Sequence, residues 1–271
     1  MGIVNVTPDS FSDGGLFLDP DAAIAHGRAL RAAGADLLDV GGESTRPGAE
    51  RVDPARERER VLPVVAALAR EGAVVSIDTM NAATAVAAVA AGAVIVNDVS
   101  GGLADPEMLP AVAASGADVV LQHWRGPSAD MYARADYADV GAELVAELGE
   151  RLRAAAAAGI PPARVIVDPG IGFGKRGAQN WQALAALERI AAIGPRVLVG
   201  TSRKRFLAET LAAAEAAVGA DASAVGTDRR DLATAVTSVL AAQAGAWAVR
   251  VHDVAATRDA LAVWRAWSEG R

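Results

Sequence analysis

The chain contains 271 residues, of which 52% are hydrophobic and 22% charged, and it has a formal net charge of −7 and no cysteine. The apolar fraction excludes a disordered chain, and the lack of cysteine excludes disulfides, zinc–thiolate sites, iron–sulfur clusters and a cysteine nucleophile. The acidic balance, without a long basic run, argues against nucleic-acid binding and against a basic membrane anchor.

Three segments could in principle be targeting or membrane segments: the N-terminal residues and two long uncharged stretches. Residues 1–9 have no basic region before their short apolar run, so we expect no signal peptide. Residues 79–97 and 232–249 are rich in Ala and are interrupted by Gly92 and Gly245, so we interpret each as a helix, a glycine stop and a strand. We therefore expect a soluble, cytoplasmic protein that does not contact a membrane.

One pattern recurs along the chain: an Ala-rich amphipathic segment, a glycine, and a β-branched apolar run that ends in polar residues. The glycines of this pattern fit the left-handed residue that follows a helix, and they are Gly34, Gly72, Gly92, Gly116, Gly159, Gly194 and Gly245. Asp–Pro pairs at 19–20, 53–54 and 105–106 predict helix starts, with Asp as the cap and Pro in the first turn.

The seven repeats and the opening run of residues 2–7 predict eight strands that alternate with helices. Their nearly continuous Val, Ile and Leu are typical of strands covered on both faces, as in a parallel sheet. Eight such strands in this length favour an α/β fold, a single (β/α)8 TIM barrel over residues 1–271, rather than an open flavodoxin- or Rossmann-like sheet. No linker or break in composition divides the chain into two domains.

Polar side chains are concentrated at the carboxyl ends of the predicted strands, where barrels of this type carry their active sites. The residues at these ends are Asn5, Thr7, Glu43, Thr45, Arg46, Asp78, Asn97, Asp98, Gln122, His123, Asp168, Ser202, Lys204, Arg250 and His252. Lys175 and Lys204 are the only lysines among 26 basic residues, so both are informative. An Asp at the mouth of an apolar barrel needs a partner, which favours functional roles for Asp78 and Asp168 together with Lys204.

Several other features fit structural roles better. Asp98, Ser100 and Asp253 fit helix caps or turns at strand ends, and Asp39 fits a hydrogen-bonded support of the site. Residues 170–176 lack the spacing and the Ser/Thr of a Walker loop, and the sequence has no G-x-S-x-G elbow and no H-E-x-x-H helix. We therefore set aside serine hydrolysis and zinc catalysis.

The remaining side chains favour a flat heterocycle and a diphosphate as ligands. Two carboxylates, an amide and an ammonium can pair with the amino, ring N–H and carbonyl groups of a heterocycle. Asn5, Arg250 and His252 lie on strands that become neighbours when the barrel closes, and with a divalent ion they suit a diphosphate. Loops 8–19 and 43–53 are predicted to be lids. The pattern predicts transfer of a heterocycle-bearing group from a diphosphate.

Seven motifs resemble those of the dihydropteroate synthases of the folate pathway. They are NVTPDSFSDGG (5–15), DVGGESTRPGA (39–49), SIDT (76–79), NDVSGG (97–102), DPGIGFGK (168–175), GTSRKRF (200–206) and RVHDV (250–254). They occur in the family's order and cover every predicted strand end except the fifth. The resemblance implies a magnesium-assisted condensation of (7,8-dihydropterin-6-yl)methyl diphosphate with 4-aminobenzoate, which gives 7,8-dihydropteroate and diphosphate.

The resemblance also implies roles for individual residues. The pterin would be recognised by Asp78, Asn97, Asp168 and Lys204, and the catalytic set would be Asp78, Lys204, Arg250 and His252. Asn5 would bind Mg²⁺, and Arg250 and His252 would anchor the diphosphate. The aminobenzoate slot, which sulfonamides would compete for, would be formed by Pro47, Phe173, Ser202 and the stem of Lys204. The lids would carry Phe11, Ser12 and Asp13 in the first loop and Thr45 and Arg46 in the second.

The family resemblance further implies an SN1-like reaction, small-molecule substrates, no nucleic acid and a homodimer. Two other functions stay open at this point. One is a non-catalytic, pterin-binding paralogue, which would be expected to have lost some site residues. The other is a methyltransferase that passes a methyl group from methyltetrahydrofolate to a corrinoid, which should not need the STRPG, SRK and RVHD motifs.

Overall fold

The computed structural model describes residues 1–7, 20–44, 51–127, 130–219 and 225–270. These residues form eight strands that alternate with helices along the chain. The strands are β1 (Gly2–Asn5), β2 (Leu37–Gly41), β3 (Val74–Asp78), β4 (Ile95–Asp98), β5 (Asp118–Gln122), β6 (Val165–Asp168), β7 (Arg196–Val199) and β8 (Ala248–Val249). The helices are α1 (Pro20–Ala32), α2 (Pro54–Arg70), α3 (Ala82–Ala90), α4 (Met108–Ser115), α5 (Val140–Ala157), α6 (Ala178–Ala185), α7 (Leu187–Ala191), α8 (Arg205–Ala217), α9 (Thr227–Gln243) and α10 (Val254–Glu269).

The eight strands are parallel and lie in chain order from β1 to β8, each hydrogen-bonded to the next. The barrel closes beyond the short strand β8, where Gly2 and Val251 form a parallel bridge. There the Ile3 N–H donates to the Val251 carbonyl oxygen (3.1 Å) and the Val251 N–H donates to that of Met1 (3.0 Å). The predicted eight-stranded α/β barrel is confirmed.

Alternation of side chains along each strand divides the apolar residues between the barrel interior and the helix layer. A small interior cluster contains Met1, Ile95, Val120, Ile166 and Leu198. Two larger clusters fill the space between the strands and the surrounding helices. Residues two positions after the interior cluster, such as Asn97 after Ile95 and Asp168 after Ile166, therefore lie at the mouth of the barrel.

The predicted glycine stops are confirmed. All seven glycines of the repeat have positive φ, between 77° and 114°, which only glycine adopts at low cost. The carboxylate of Asp53 caps α2 by accepting from the Ala55 N–H (2.9 Å), as the Asp–Pro pair predicts. Asp105 does more than was predicted. One carboxylate oxygen accepts from the Glu107 N–H (3.0 Å) in the turn before α4, as its Asp–Pro pair predicts, and the other accepts from the Ala82 N–H (2.8 Å) at the start of the neighbouring helix α3.

Within the described ranges, no helix combines the length and the apolar composition that crossing a bilayer requires.

Candidate active site

A cavity of about 1170 Å³ opens at the carboxyl ends of the strands and brings together most of the predicted site residues. The strands contribute Asn5, Asp78, Asn97 and Asp168, and the segments that follow strands contribute Phe173, Ser202, Lys204, Arg250 and His252. These nine residues come from six segments separated in sequence, and they line one cavity. The predicted lid and slot residues Phe11, Ser12, Asp13, Thr45, Arg46 and Pro47 lie outside the described residues.

Arg250 occupies the centre of one side of this cavity, between two carboxylates. Its Nε donates to Asp39 Oδ2 (2.6 Å) and its Nη2 donates to Asp78 Oδ2 (2.8 Å). Asn97 Nδ2 donates to the same Asp39 oxygen (2.9 Å). Asp39 is fully buried and supports two residues that line the cavity, which matches the supporting role predicted for it.

The ionisation of Asp78 is shifted by this environment. Burial raises the pKa of Asp78 to about 7, while the Arg250 guanidinium opposes that shift and the nearby Asp39 adds to it. Two carboxylates therefore share one cation in a poorly solvated position. Such a carboxyl changes protonation state near neutral pH, which is typical of groups at functional sites.

Asp168 and Lys204 form a second pair of opposite charges at the cavity. The Asp168 carboxylate accepts from the Gly170 N–H (2.6 Å). Burial raises the pKa of Asp168, and the Lys204 ammonium and this N–H oppose the shift. Burial also lowers the pKa of Lys204 to about 8, against the attraction of Asp168. Lys204 Nζ donates to the Ile171 carbonyl oxygen and lies 4.9 Å from the centre of the Phe173 ring.

Ser202 and His252 are directly hydrogen-bonded, which the sequence did not predict. Ser202 Oγ accepts from the His252 backbone N–H (3.0 Å) and lies 2.8 Å from His252 Nδ1. The residue predicted for the aminobenzoate slot is therefore coupled to a residue predicted to anchor the diphosphate.

The backbone around Ser202 and Lys204 is held in a strained conformation by Arg203. Arg203 has a φ of 58°, the left-handed region that non-glycine residues rarely adopt. Its guanidinium makes two hydrogen bonds to Asp231, of 2.7 and 2.8 Å, and its N–H donates to Thr234 Oγ1 (3.2 Å). These contacts to α9 stabilise the turn in which Arg203 lies between the cavity residues Ser202 and Lys204.

The ends of the second predicted lid are fixed by Glu43. One of its oxygens lies 2.9 Å from Arg51 Nε, and the other accepts from the Val52 N–H (2.9 Å). Arg51 also donates to Asn81 Oδ1 (2.9 Å) at the start of α3. The residues that flank positions 45–50 are therefore joined at a buried carboxylate that borders the cavity.

The metal-ligand prediction concerns Asn5. Among the described residues, no group of three or more His, Cys, Asp or Glu is arranged to hold a metal ion. Asn5 is partly buried at the end of β1 and lines the cavity, and no group in the described ranges hydrogen-bonds to its amide. One free amide oxygen at the edge of this cavity fits the prediction of Mg²⁺, which takes few protein ligands and is often held by substrate phosphates.

The sequence analysis named His123 and Lys175 but assigned neither of them a role. Lys175 lines the cavity, and the two buried side chains are in direct contact. The rarity of lysine was the available signal for Lys175, but its partner is 52 residues away and only the fold brings the two together. The structural roles predicted for Asp98 and Asp253 are confirmed. Asp98 is fully buried and accepts from Ser100 and Gly102, and Asp253 caps α10 through the Ala256 N–H.

The comparisons with known proteins agree with this geometry. Residues 1–252 match the family described as pterin binding enzyme. The chain is 53% identical over 268 residues to the dihydropteroate synthase of Mycobacterium leprae (strain TN), with 98% of this chain and 92% of that protein covered. The chain belongs to the dihydropteroate synthase family.

Two solved structures of the family, both of Xanthomonas albilineans dihydropteroate synthase, are similar over 98% of this chain and 92% of theirs. One contains 4-aminobenzoic acid and has a TM-score of 0.87 at 47% identity. The other contains 7,8-dihydropteroate and has a TM-score of 0.84 at 44% identity. This chain therefore has the barrel fold of these two structures, with a cavity at the carboxyl ends of its strands.

The raised pKa of Asp78 predicts how stability depends on pH. The unfolded carboxyl ionises near 3.8 and the folded one near 7, so the folded state binds more protons between these values and loses stability as pH rises through them. Asp78→Asn should remove this contribution and flatten the curve of unfolding free energy between about pH 4 and pH 7. Urea denaturation at several pH values measures the difference. Parallel curves for the two proteins would show that Asp78 does not titrate in this range.

Proposed function

We propose that this chain is a transferase that condenses (7,8-dihydropterin-6-yl)methyl diphosphate with 4-aminobenzoate to form 7,8-dihydropteroate and diphosphate. The observation that carries this proposal is the convergence of Asp78, Asn97, Asp168 and Lys204 on one cavity in a chain of this family. A non-catalytic paralogue would be expected to lack part of this set.

Two carboxylates, an amide and an ammonium then recognise the pterin. Asp168 accepts hydrogen bonds from the amino and ring N–H groups, and Lys204 donates to a ring acceptor. Asn97 is held by Asp39, so its amide oxygen is available to a ligand while its Nδ2 is engaged. Asp78 offsets positive charge that develops on the ring. These assignments follow the donors and acceptors that each side chain has left in the structure.

The diphosphate is bound on the side of the cavity formed by Asn5, Arg250 and His252. Arg250 uses Nε and Nη2 on Asp39 and Asp78, which leaves Nη1 without an acceptor among the described residues. Asn5 would hold Mg²⁺ through its amide oxygen. The ion would neutralise charge on the departing diphosphate. Arg250 and His252 orient the leaving group toward that corner of the cavity.

The slot for 4-aminobenzoate lies beside Lys204. The Phe173 ring and the Lys204 side chain form one edge, and Ser202 offers a hydroxyl close to the backbone N–H groups that precede α8. An aromatic amine that lies between Phe173 and the Lys204 stem has its nitrogen directed into the cavity. Pro47 is proposed as the residue that completes the slot.

The chemistry needs no strong general base. The bond between the pterin methylene carbon and the diphosphate oxygen breaks first, and its electron pair leaves with the diphosphate. The amine nitrogen then forms the new C–N bond with the delocalised cation and afterwards loses one proton. The roles of this chain are to hold the two reactants in line, to stabilise the leaving charge and to exclude water from the cation.

The proposed reaction predicts that dihydropteroate forms only when both substrates and Mg²⁺ are present. The purified chain is incubated with synthetic dihydropterin-methyl diphosphate and 4-aminobenzoate, and the product is identified by mass spectrometry. Excess chelator should abolish turnover, and added Mg²⁺ should restore it. Binding of the pterin without product formation would contradict the proposal and support a non-catalytic paralogue, while full turnover in chelator would contradict the metal role of Asn5.

Asp168→Asn should weaken binding of a pterin analogue much more than binding of diphosphate. The amide places an N–H₂ group opposite donors of the ligand, and a buried mismatch of this kind costs about 1–3 kcal/mol. Isothermal titration with each ligand measures both affinities. Asp118→Asn is the matched control, because Asp118 pairs with Arg196 at the opposite end of the barrel. Equal losses for both ligands would refute the recognition role of Asp168.

We also propose that two copies of the chain form a homodimer through α9. Leu232, Val236 and Leu240 are spaced by four residues on this helix, and each is more than half exposed. A solvent-facing apolar stripe of this kind is typical of an interface. Leu232→Lys should convert a dimer to a monomer in light scattering, whereas Val218→Lys, at an exposed site off this stripe, should not. A monomeric unmutated chain would rule the proposal out.

A further inference from the structure

The two lysines of the chain converge on one turn, residues 170–174, which connects β6 to α6. The Lys175 ammonium donates to the carbonyl oxygens of Gly170 (3.0 Å) and Phe173 (3.1 Å). The Lys204 ammonium donates to the carbonyl oxygen of Ile171, which lies between them. Three carbonyl oxygens of this turn are thus bound by two lysine side chains, and only Lys204 belongs to the proposed ligand-recognition set.

Side-chain packing anchors the core side of this turn at Ile171 alone, which is fully buried among the apolar residues between strands and helices. Gly170, Gly172 and Gly174 have φ values of 63°, 82° and 59°, so every second residue is left-handed. A Cβ atom at Gly170 would lie 2.2 Å from the His123 carbonyl oxygen, which shows how closely the backbones approach. The rest of the turn therefore depends on hydrogen bonds to its backbone N–H and carbonyl groups.

The third hydrogen-bond partner of the Lys175 ammonium is His123. Lys175 Nζ lies 3.0 Å from His123 Nδ1, and His123 Nε2 lies 2.9 Å from Glu147 Oε2. Burial lowers the pKa of His123 to about 4, so its ring is neutral at physiological pH. Hydrogen bonds from His123 and Arg125 hold the pKa of Glu147 at about 2 in spite of its partial burial. We therefore assign the ring proton to Nε2, facing the carboxylate, which leaves Nδ1 as an acceptor.

This arrangement fits a tripodal ammonium at position 175. Burial lowers the pKa of Lys175 to about 7 against the attraction of Asp168, and the three acceptors around Nζ favour the charged form. Three acceptors surround Nζ, and Lys175 is 1% exposed, so every N–H is used and none reaches solvent. A planar guanidinium places its donors in a fork and cannot direct three of them from one nitrogen. The geometry accounts for a lysine here in a chain that otherwise uses arginine for 24 of its 26 basic residues.

We propose that Lys175 is a positioning residue that sets the shape of the aminobenzoate slot through the turn at 170–174. The turn carries Phe173, whose ring forms one edge of the slot, and the carbonyl oxygen that orients Lys204. This inference rests on the proposed function. Lys175 itself does not touch the substrate: His123 and Glu147 orient its ammonium, and the turn transmits that orientation to the slot.

The kinetic test compares Lys175→Met with Arg164→Met. Arg164 also donates to backbone carbonyl oxygens, of Ala117 and Val112, but it lies at the opposite end of β6. Both variants should lower the thermal midpoint of unfolding. Only Lys175→Met should raise KM for 4-aminobenzoate, by about 10- to 100-fold, because small displacements of a binding group have effects of that size. An active Lys175→Met enzyme with unchanged KM would show that the role is merely structural.

Rescue distinguishes an ammonium from any buried cation. The chain contains no cysteine, so Lys175→Cys introduces a unique thiol that 2-bromoethylamine converts, in the unfolded protein, to a lysine analogue before refolding. The aminoethylated protein should recover the low KM, and Lys175→Arg should not. Equal recovery with arginine would overturn the tripodal argument. Unmutated protein taken through the same treatment controls for damage by the reagent.

Two further measurements cover the remaining outcomes. If Lys175→Met does not fold, His123→Leu removes only the third acceptor and should raise the same KM by a smaller factor. An unchanged KM would refute the inference. Hydrogen exchange at the Phe173 amide, which donates to Gly170 (2.9 Å), needs no activity. Failure of the unmutated chain to make dihydropteroate refutes the proposed function, and undiminished Phe173 protection in a folded Lys175 variant refutes the positioning role.

Discussion

Arg250 holds the two halves of the barrel mouth together, and most of the site depends on it. It directly follows β8, and its guanidinium reaches Asp39 on β2 and Asp78 on β3, which are not neighbours of β8. Removing one partner of such a buried pair typically costs 3–5 kcal/mol, roughly, because a charge is left uncompensated. The same cation restrains the pKa of Asp78 and keeps one nitrogen for an anionic ligand. Fold closure, ionisation and ligand binding are therefore coupled at one side chain.

The charges at the mouth form two groups that also interact with each other. Arg250 with Asp39 and Asp78 is one group, and Asp168 with the two lysines is the other. Arg250 and Lys204 come from other strand ends than the carboxylates they stabilise, so neither group is complete until the barrel has formed. A flat ligand with donors on one edge and a charged leaving group on the other can contact both groups at once. This separation of charge suits a heterocycle that carries a diphosphate.

The fold could be predicted from local patterns because each pattern has a local cause. A glycine ends a helix because of its own φ, and an Asp before proline starts one through hydrogen bonds within the next turn. Asp105 shows where this ends: besides accepting from the Glu107 N–H in its own turn, its carboxylate accepts from the Ala82 N–H at the start of α3, a contact that depends on how two neighbouring units pack. The contacts Lys175–His123 and Arg203–Asp231 lie beyond sequence reasoning for the same reason, since they join residues 52 and 28 positions apart. The polar residues at the strand ends predicted which side chains line the cavity, but not which of them pair with each other.

Residue types that are rare in this chain mark positions where a particular geometry is required. Asn180 binds the Gly172 N–H through Oδ1 (2.7 Å) and the Lys175 carbonyl oxygen through Nδ2 (3.3 Å), a pairing that a carboxylate or an ammonium cannot make. Asn81 similarly accepts from Arg51 and donates to Glu57. Lys175 is needed where three acceptors surround one nitrogen. His26 shows that rarity alone is not enough, since it lies exposed on α1. A rare residue is informative when it is buried and when all its donors and acceptors are engaged or aimed into the cavity, because only then does the fold exclude its commoner substitutes.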